Sequence, residues 1–493
     1  MTLVNRVLSA TPFARLQDYV DRGDGGRALA RAHASTPDEV IAMVEASGLR
    51  GRGGAGFPTG RKWRTVRENS SATYPSTVVV NAAEGEPGTF KDRTILRANP
   101  YHVLEGALIA AHAVGASRVI VALKRSFSID IARVQSAVQE LQEARWTDPV
   151  ELVIFEGPDE YLFGEETALL ETLDGRLPFP RIAPPYRRGV FEVVEAASDL
   201  GSGSGLSAHI EMAGPGDDAE APPALIDNVE TLANIPSILE RGVEWFRTVG
   251  TQQSPGTIVC TIVGQVEHPG VGEITMGTTL REAIQQIGGG PLAGRDISAV
   301  VPGVSNAIIP ASKLDTPLTY EDMARIGSGV GSAGFWVLDA SVDAVAAVAG
   351  VSRFLAIESC GQCSPCKQDG LVLADALERL ATSSCRYGDM ALIRQRMNTV
   401  ADGARCSIGR QQQAVVEGLL AKFAPLVEAH ARGSAQAVRP TAIAELIDIG
   451  TEGVVLDERH ARKQPDWTYE PTWRGETPVE RFIDHRAHDR LDS

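Results

Sequence analysis

The chain has 493 residues, 43% of them hydrophobic and 22% charged, a globular mix with length enough for roughly two to four domains and a large core. A formal net charge of −16 argues against a protein that lives on nucleic-acid phosphates or on an anionic membrane surface. Six cysteines are too few for a disulfide framework. No stretch is long and uncharged enough to span a bilayer, and the opening Met-Thr-Leu-Val-Asn-Arg lacks the apolar run of a signal peptide. The expected location is cytoplasmic, with peripheral docking on a membrane-bound complex as an option.

In chain order, Thr36-Pro37-Asp38-Glu39 is a capping box with proline at the first helical position, and it predicts a helix carrying Val40, Ile41 and Val44. A strand is expected over 77–81, a helix over 100–114 and a strand over 118–123. A helix over 129–144 and a strand over 150–155 follow. This alternation implies a parallel sheet covered by helices. From about Gly256 the pattern changes to short strands (257–263, 299–301, 334–338), Gly-rich turns and a Thr279-capped helix to Ile287. That is the rhythm of a small β-grasp domain. Residues 340–430 read as helices with a cysteine-rich loop between two of them. Residues 198–223 are rich in Gly, Ser, Ala, Pro and Asp and read as a long exposed loop. The tail from Asp457 is polar and aperiodic, the mark of a disordered end. Its aromatics Trp467, Tyr469, Trp473 and Phe482 speak equally for docking on a partner.

Residues 48–56 contain five glycines interleaved with Arg50 and Arg52. They include a G-x-G-x-x-G, but a helix precedes it where the dinucleotide fingerprint needs a strand. Such a loop still brings backbone N–H groups close to an anion, with Arg50, Arg52, Arg61 and Lys62 adding charge. Phe57 stands where a ring can stack on a flat heterocycle. The run Asn81–Arg93 follows a predicted strand, where ligands bind in parallel sheets. Glu165 and Glu166 open a helix; a carboxylate there favours the dipole or holds a ligand hydroxyl.

Cys360, Cys363 and Cys366 stand at double-x spacing, and Cys406 follows remotely. A cubane cluster needs one thiolate per iron corner, and a tight loop can supply three. Structural zinc more often takes two separated Cys-x-x-Cys pairs. The spacing therefore predicts a [4Fe–4S] cluster. Cys260 and Cys385 have no partner spacing.

The run from Ser47 to Trp63, Glu86-Pro-Gly-Thr-Phe-Lys-Asp-Arg93, Tyr161-Leu-Phe-Gly-Glu-Glu-Thr-Ala-Leu169, Asn228-Val-Glu-Thr-Leu232 and Ser359-Cys-Gly-Gln-Cys-Ser-Pro-Cys366 together resemble the flavin-bearing, NADH-oxidising subunit of respiratory complex I. Relatives of that subunit serve NAD-linked formate dehydrogenases and hydrogenases. The resemblance covers about residues 18–432. It implies an α/β Rossmann-like FMN domain (1–250), a β-grasp, soluble-ligand-binding domain (251–339), a four-helix bundle with the cluster (340–432) and an extension (433–493) that is partner-docking or disordered. By motif, Gly51, Gly53, Gly54, Phe57 and Lys62 would line an FMN/NADH cavity. Asn81, Tyr161, Gly164, Glu165, Asn228 and Thr231 would surround FMN. Glu86 and Glu166 would position NADH, and Tyr186 would lie over the nicotinamide nucleotide. Cys360, Cys363, Cys366 and Cys406 would hold the cluster.

The implied activity is hydride transfer from NAD(H) to FMN and single electrons onward through [4Fe–4S] to a partner subunit, with a thioredoxin-like [2Fe–2S] subunit expected. No acid–base triad is required for this. Ala83 stands where the family has aspartate, Asp227 where it has asparagine, and Thr65 where it has an aromatic. Those departures keep two alternatives in view: a flavin and iron–sulfur subunit with a non-nicotinamide donor, and a flavin-free cluster relay.

Overall fold

The computed structural model describes residues 3–71, 75–190, 222–450 and 453–482. The chain forms two compact units, one built from Asn5–Glu84 with Asp92–Gly256, the other from Met1–Val4, Gly85–Lys91 and Thr257–Ser493. Among the described residues no helix is long and apolar enough to cross a membrane.

The first unit holds a four-stranded parallel sheet of β1 (Ser76–Asn81), β2 (Ala116–Lys124), β3 (Glu151–Gly157) and β4 (Ala224–Asn228), in the order β3-β2-β1-β4. Each strand is short and rich in branched apolar residues, as a sheet covered by helices requires. The helix Pro100–Val114 crosses from β1 to β2. Asn99 caps its N-terminus through His102 N (3.2 Å), and proline fills its first position. The helix Pro37–Ser47 opens on the capping box read from the sequence, with Thr36 and Glu39 satisfying each other's backbone N–H. Val79, Ile120, Phe155 and Ile226 of the sheet pack against Leu169, Leu170 and Leu173 of the helix Glu166–Leu173. β1 and β2 run onward to β3 on one side, while β4 joins β1 on the other. The strand order therefore reverses at β1, and that reversal opens a crevice at the carboxyl ends of β1 and β4.

The second unit contains a five-stranded mixed sheet of β5 (Thr257–Gly264), β6 (Gly270–Thr275), β7 (Ile297–Val301), β8 (Ile309–Pro310) and β9 (Gly334–Asp339), in the order β6-β5-β9-β7-β8. The Thr279-capped helix Leu280–Gly288 packs Leu280, Ala283 and Ile284 into the same core as Ile262 and Phe335. The helices Ala344–Glu358, Ser364–Ala381, Asp389–Thr399 and Ile408–Lys422 follow as a bundle. Almost every residue of Ala344–Glu358 is buried, so it is the central helix. Gln412 Nε2 donates to Ser352 Oγ (2.8 Å) and Gly370 O (3.0 Å), pinning three of these helices together.

The extension departs from expectation. Strands β10 (Leu446–Gly450) and β11 (Gly453–Leu456) pair as an antiparallel ribbon, and Leu446 packs with Phe90 and Val263. Trp467 is 5% exposed and its Nε1 donates to Ile357 O at 2.9 Å. Over 433–450 and 453–482 the disordered reading is thus corrected: this part of the extension is anchored on its own chain. Isolated anchors do the holding, and isolated anchors leave no periodicity to read. The predicted loop at 198–223 lies outside the described residues apart from its last two.

Candidate functional site: a glycine-lined crevice and a four-cysteine loop

The parallel register pairs Val80 with Asp227 and Asn81 with Asn228, so Asp227 and the two asparagines close adjacent strands at their carboxyl ends. Asn81 Nδ2 donates to Gly164 O (2.9 Å), tying β1 to the turn before the helix Glu166–Leu173. Asn228 caps the following helix through Glu230 N (3.0 Å), and its Nδ2 donates to Asp92 Oδ2 (2.7 Å). Thr231 Oγ1 accepts Arg52 N at 2.8 Å, which brings the glycine loop onto this helix.

The glycine loop is a tight hairpin, closed by Gly51 N to Phe57 O (2.8 Å) and by Arg50 Nε to Gly56 O (2.7 Å). A Cβ on Gly53 would meet Asn228 Cβ at 3.2 Å, whereas one on Gly54 would meet nothing within 4 Å. Gly54 takes φ 134°, a conformation that side chains rarely adopt, so the loop offers bare backbone to open space. That is a cradle of the kind a phosphate or a flavin edge requires, and FMN fits it. Arg52 is a correction to the charge expected there. Its side chain is buried, donates to Arg50 O and Pro255 O, and lies 3.9 Å from Glu230. Its charge is consumed inside the protein.

Lys62 instead sits at the crevice. Its Nζ donates to Glu166 and to Ile226 O, with Asp227 Oδ1 at 3.7 Å. Burial works against the charge, but Glu166 and Asp227 together outweigh it and push the lysine pKa up. Asp227 is buried and accepts Trp63 Nε1 at 2.7 Å. Burial raises its pKa to about 6 in spite of Lys62. Glu165 caps its helix by accepting Thr167 N (3.0 Å) and Ala168 N (2.9 Å); burial raises its pKa. Tyr161 opens the short turn that carries Gly164. Phe57 and Tyr186 are exposed, and the turn holding Tyr186 is tied to β4 by Ala224 N to Pro185 O (3.0 Å). Glu86 lies in the other unit, where its Oε1 accepts Val304 N (2.9 Å) and Ser305 Oγ (2.8 Å).

Three of the four cysteines stand at or next to helix starts in the second unit, while Cys360 follows Ser359, the C-cap of the central helix. Cys363 is the N-cap of Ser364–Ala381, Cys366 lies in its first turn, and Cys406 stands just before Ser407, the N-cap of Ile408–Lys422. Helix N-termini favour negative charge, which a thiolate-bound cluster brings. Arg405 N donates to Cys363 Sγ (3.4 Å), so the residue next to Cys406 touches the triple run. Gln362 Nε2 donates to Cys360 Sγ (3.5 Å), and Ser359 Oγ lies 3.3 Å from Cys366 Sγ. Burial pushes the Cys360 thiol up and the Cys366 thiol to about 11. Metal coordination is what makes such buried thiols give up their protons. Among the described residues no three Cys, His, Asp or Glu side chains converge as a single-ion site. A cubane is larger than a single ion and takes one thiolate at each iron corner, and the triple run with Cys406 next to Arg405 supplies four. Cys385 lies past the far end of the helix Ser364–Ala381, whose 18 residues span about 27 Å, which leaves Cys406 as the fourth candidate.

The Nuo51 FMN-binding domain family matches residues 44–237, the SLBB domain residues 259–324, and the NADH-ubiquinone oxidoreductase-F iron-sulfur binding region residues 346–430. The NADH-quinone oxidoreductase F subunit numbered 2 in Rhizobium meliloti (strain 1021) is 36% identical over 408 residues, covering 81% of this chain and 90% of that protein. The chain belongs to the family of NADH-quinone oxidoreductase F subunits. The F subunit of Mycobacterium tuberculosis (strain ATCC 25618 / H37Rv) is 34% identical over 424 residues, covering 84% of this chain and 89% of its own length. A solved NAD⁺-reducing [NiFe]-hydrogenase in the H2-reduced state matches with TM-score 0.71 and 31% identity, over 85% of this chain and 67% of that one. As a member of this family, the chain is an NADH oxidoreductase with FMN and a [4Fe–4S] cluster, and it works among partner subunits. The Rossmann-like, β-grasp and helical parts are those the sequence implied.

Sequence reasoning did not foresee that Asp227 and Trp63 complete the setting of Lys62. The signal was present in Asp227, a charged residue closing an apolar strand. A raised pKa means the folded protein holds this proton more tightly than the unfolded chain. The stability it contributes is therefore full below the ordinary aspartate range and is lost as pH rises through about 6. In Asp227→Asn, thermal melts between pH 5 and 7 should show a flatter profile, by on the order of 1–2 kcal/mol in this family member. Parallel profiles for variant and wild type would remove Asp227 as the titrating group.

Proposed function

We propose that the crevice at the ends of β1 and β4 is the seat of FMN and NAD(H). The observation that carries this reading is Lys62, held between Glu166 and Asp227 beside a loop of bare glycine backbone. Bound FMN supplies the conversion between two-electron and one-electron chemistry that no side chain performs. Gly51, Gly53 and Gly54 give the cofactor and nucleotide their close backbone approach, and Phe57 offers a ring to stack on. Asn81, Tyr161, Gly164, Asn228 and Thr231 fix the walls around the flavin. Glu165 shapes that wall by holding the start of its helix rather than by offering a free carboxylate. Glu166 orients NADH, and Tyr186 covers the nicotinamide nucleotide. Lys62 keeps positive charge where two carboxylates would otherwise repel an anionic ligand. Cys360, Cys363, Cys366 and Cys406 hold the cluster.

The finer division of the chain at residues 250, 339 and 432 belongs to the same reading. So does an electron-accepting partner with a thioredoxin-like [2Fe–2S] centre, since the chain has no second set of cysteines at cluster spacing. A cytoplasmic site of action, peripheral to any membrane-bound assembly, completes it.

The test is the visible spectrum of the anaerobically purified chain before and after NADH. A flavin band that bleaches at once above a broad iron–sulfur shoulder is expected. A flavin that ignores NADH sends the search to another donor, and a shoulder with no flavin released on denaturation defeats the crevice assignment.

A further inference from the structure

The matched iron–sulfur region ends at residue 430, yet the chain continues and returns to the cysteine loop. Val438 N donates to Ala381 O (3.0 Å) and Thr441 N to Ala346 O (3.0 Å). At Gly350 a Cβ would lie 2.0 Å from Thr441 O, so the extension's backbone rests directly on the central helix. The β10–β11 ribbon then packs Ile449, Val454 and Leu456 with Val263 and Trp336 of the mixed sheet. Beyond it the chain comes back to both flanks of the loop. Lys463 Nζ donates to both oxygens of Glu358, at 2.7 and 2.8 Å, with Lys463 5% and Glu358 2% exposed. Trp467 Nε1 holds Ile357 O, and the His460 ring packs 4.7 Å from that of Phe354. Inside the loop, Val479 N donates to Cys360 O (3.1 Å), and a Cβ on Gly361 would meet Thr477 at 2.7 Å.

We propose that residues 438–450 and 453–482 are an in-chain clamp that positions Cys360 and closes the cluster loop against water, oxygen and chelators. The electrostatics give the clamp its purpose. Glu358 is a buried carboxylate at the C-terminal end of the central helix, two positions before a cluster ligand. The helix dipole and a thiolate-bound cluster both oppose a negative charge there. Lys463, delivered by the extension, is the cation that bonds both oxygens of Glu358, with His460 of the same extension at 3.4 Å and the buried Lys367 on the neighbouring carbonyls. Removing Lys463 takes away the direct ion pair of a buried carboxylate, so the loop and the clamp are coupled. Coupling of this kind is reciprocal: the clamp steadies the cluster, and the cluster steadies the clamp.

The inference rests on the cluster assignment, and the experiment separates the two. Iron release to a ferrous chelator, and bleaching in air, are followed in the full-length protein and in the Lys463→Ala/Trp467→Ala variant, with Tyr469→Ala as an exposed control in the extension. Flavin content reports the fold of the other unit. Roughly tenfold faster iron loss with unchanged flavin is expected, as loosening a buried ion-paired segment raises local opening. Wild-type rates in the double variant overturn the clamp. Wild-type protein without iron overturns the cluster reading instead. Should the double variant fail to fold, hydrogen exchange on wild type decides. Stripping the cluster should raise exchange across 463–482, and unchanged protection there overturns the clamp.

Discussion

Cys406→Ala yields a protein that keeps its flavin and loses its intact cubane. Arg405 N on Cys363 Sγ brings the remote cysteine to the triple run, and the starts of two helices bracket the site. Removing that thiolate strips one iron corner of its protein ligand. The loss of cluster affinity should exceed the roughly 10–100-fold that changes to outer-shell partners of a metal site cost. Iron analysis and the electron paramagnetic resonance of the reduced protein read it directly. Cys385→Ala serves as the counterpart and should be silent, because a whole helix separates Cys385 from the loop. A normal cluster in Cys406→Ala, or a lost one in Cys385→Ala, would reverse the ligand assignment. Transfer to the partner should fail with the cluster, while NADH still bleaches the flavin. That split is informative, since it locates the break after the crevice.

Lys62→Ala should lower kcat/KM for NADH by roughly 5- to 30-fold, the range that follows from about 1–2 kcal/mol for truncating one partner of a charge cluster in which Lys62 is 22% and Glu166 45% exposed. The lysine holds Glu166 and Asp227, and both carboxylates then face each other without a cation. The variant should also melt lower, because Asp227 is buried and loses its one nearby positive charge among the contacts above. Lys62→Ala/Asp227→Asn distinguishes the two effects. It should recover stability, since the buried charge is gone, and should not recover NADH use. The cluster spectrum should stay unchanged in both variants. Wild-type kinetics in Lys62→Ala would remove the lysine from the site, and recovery of NADH use by the double variant would make it a structural counter-ion only.

Much of this was legible in the chain because the signals are local. Thr36 and Glu39, or Thr279 and Glu282, form capping boxes within one turn, so their helices start where the sequence places them. The cysteine spacing is set within seven residues and predicts the loop. The order of motifs along 493 residues carries the family, and the alternation of β1, β2 and β3 with helices carries a parallel sheet, to which the fold adds β4. None of these requires knowing what lies across the fold.

What only the tertiary structure decided depends on residues far apart in sequence. Arg50, Arg52, Arg61 and Lys62 looked alike as sources of charge. The fold buries Arg52 against Glu230 and backbone carbonyls, and it leaves Lys62 at the crevice with Glu166 and Asp227. Asp227 was an unexplained departure until the register of β4 against β1 set it beside Asn81's strand and under Trp63. The extension looked aperiodic, and it is, yet Lys463 and Trp467 find Glu358 and Ile357. Sequence periodicity reports which face of an element is apolar. It does not report which charge will be paired, because the cost of burying a charge is settled by its partner, and the partner is chosen by the fold.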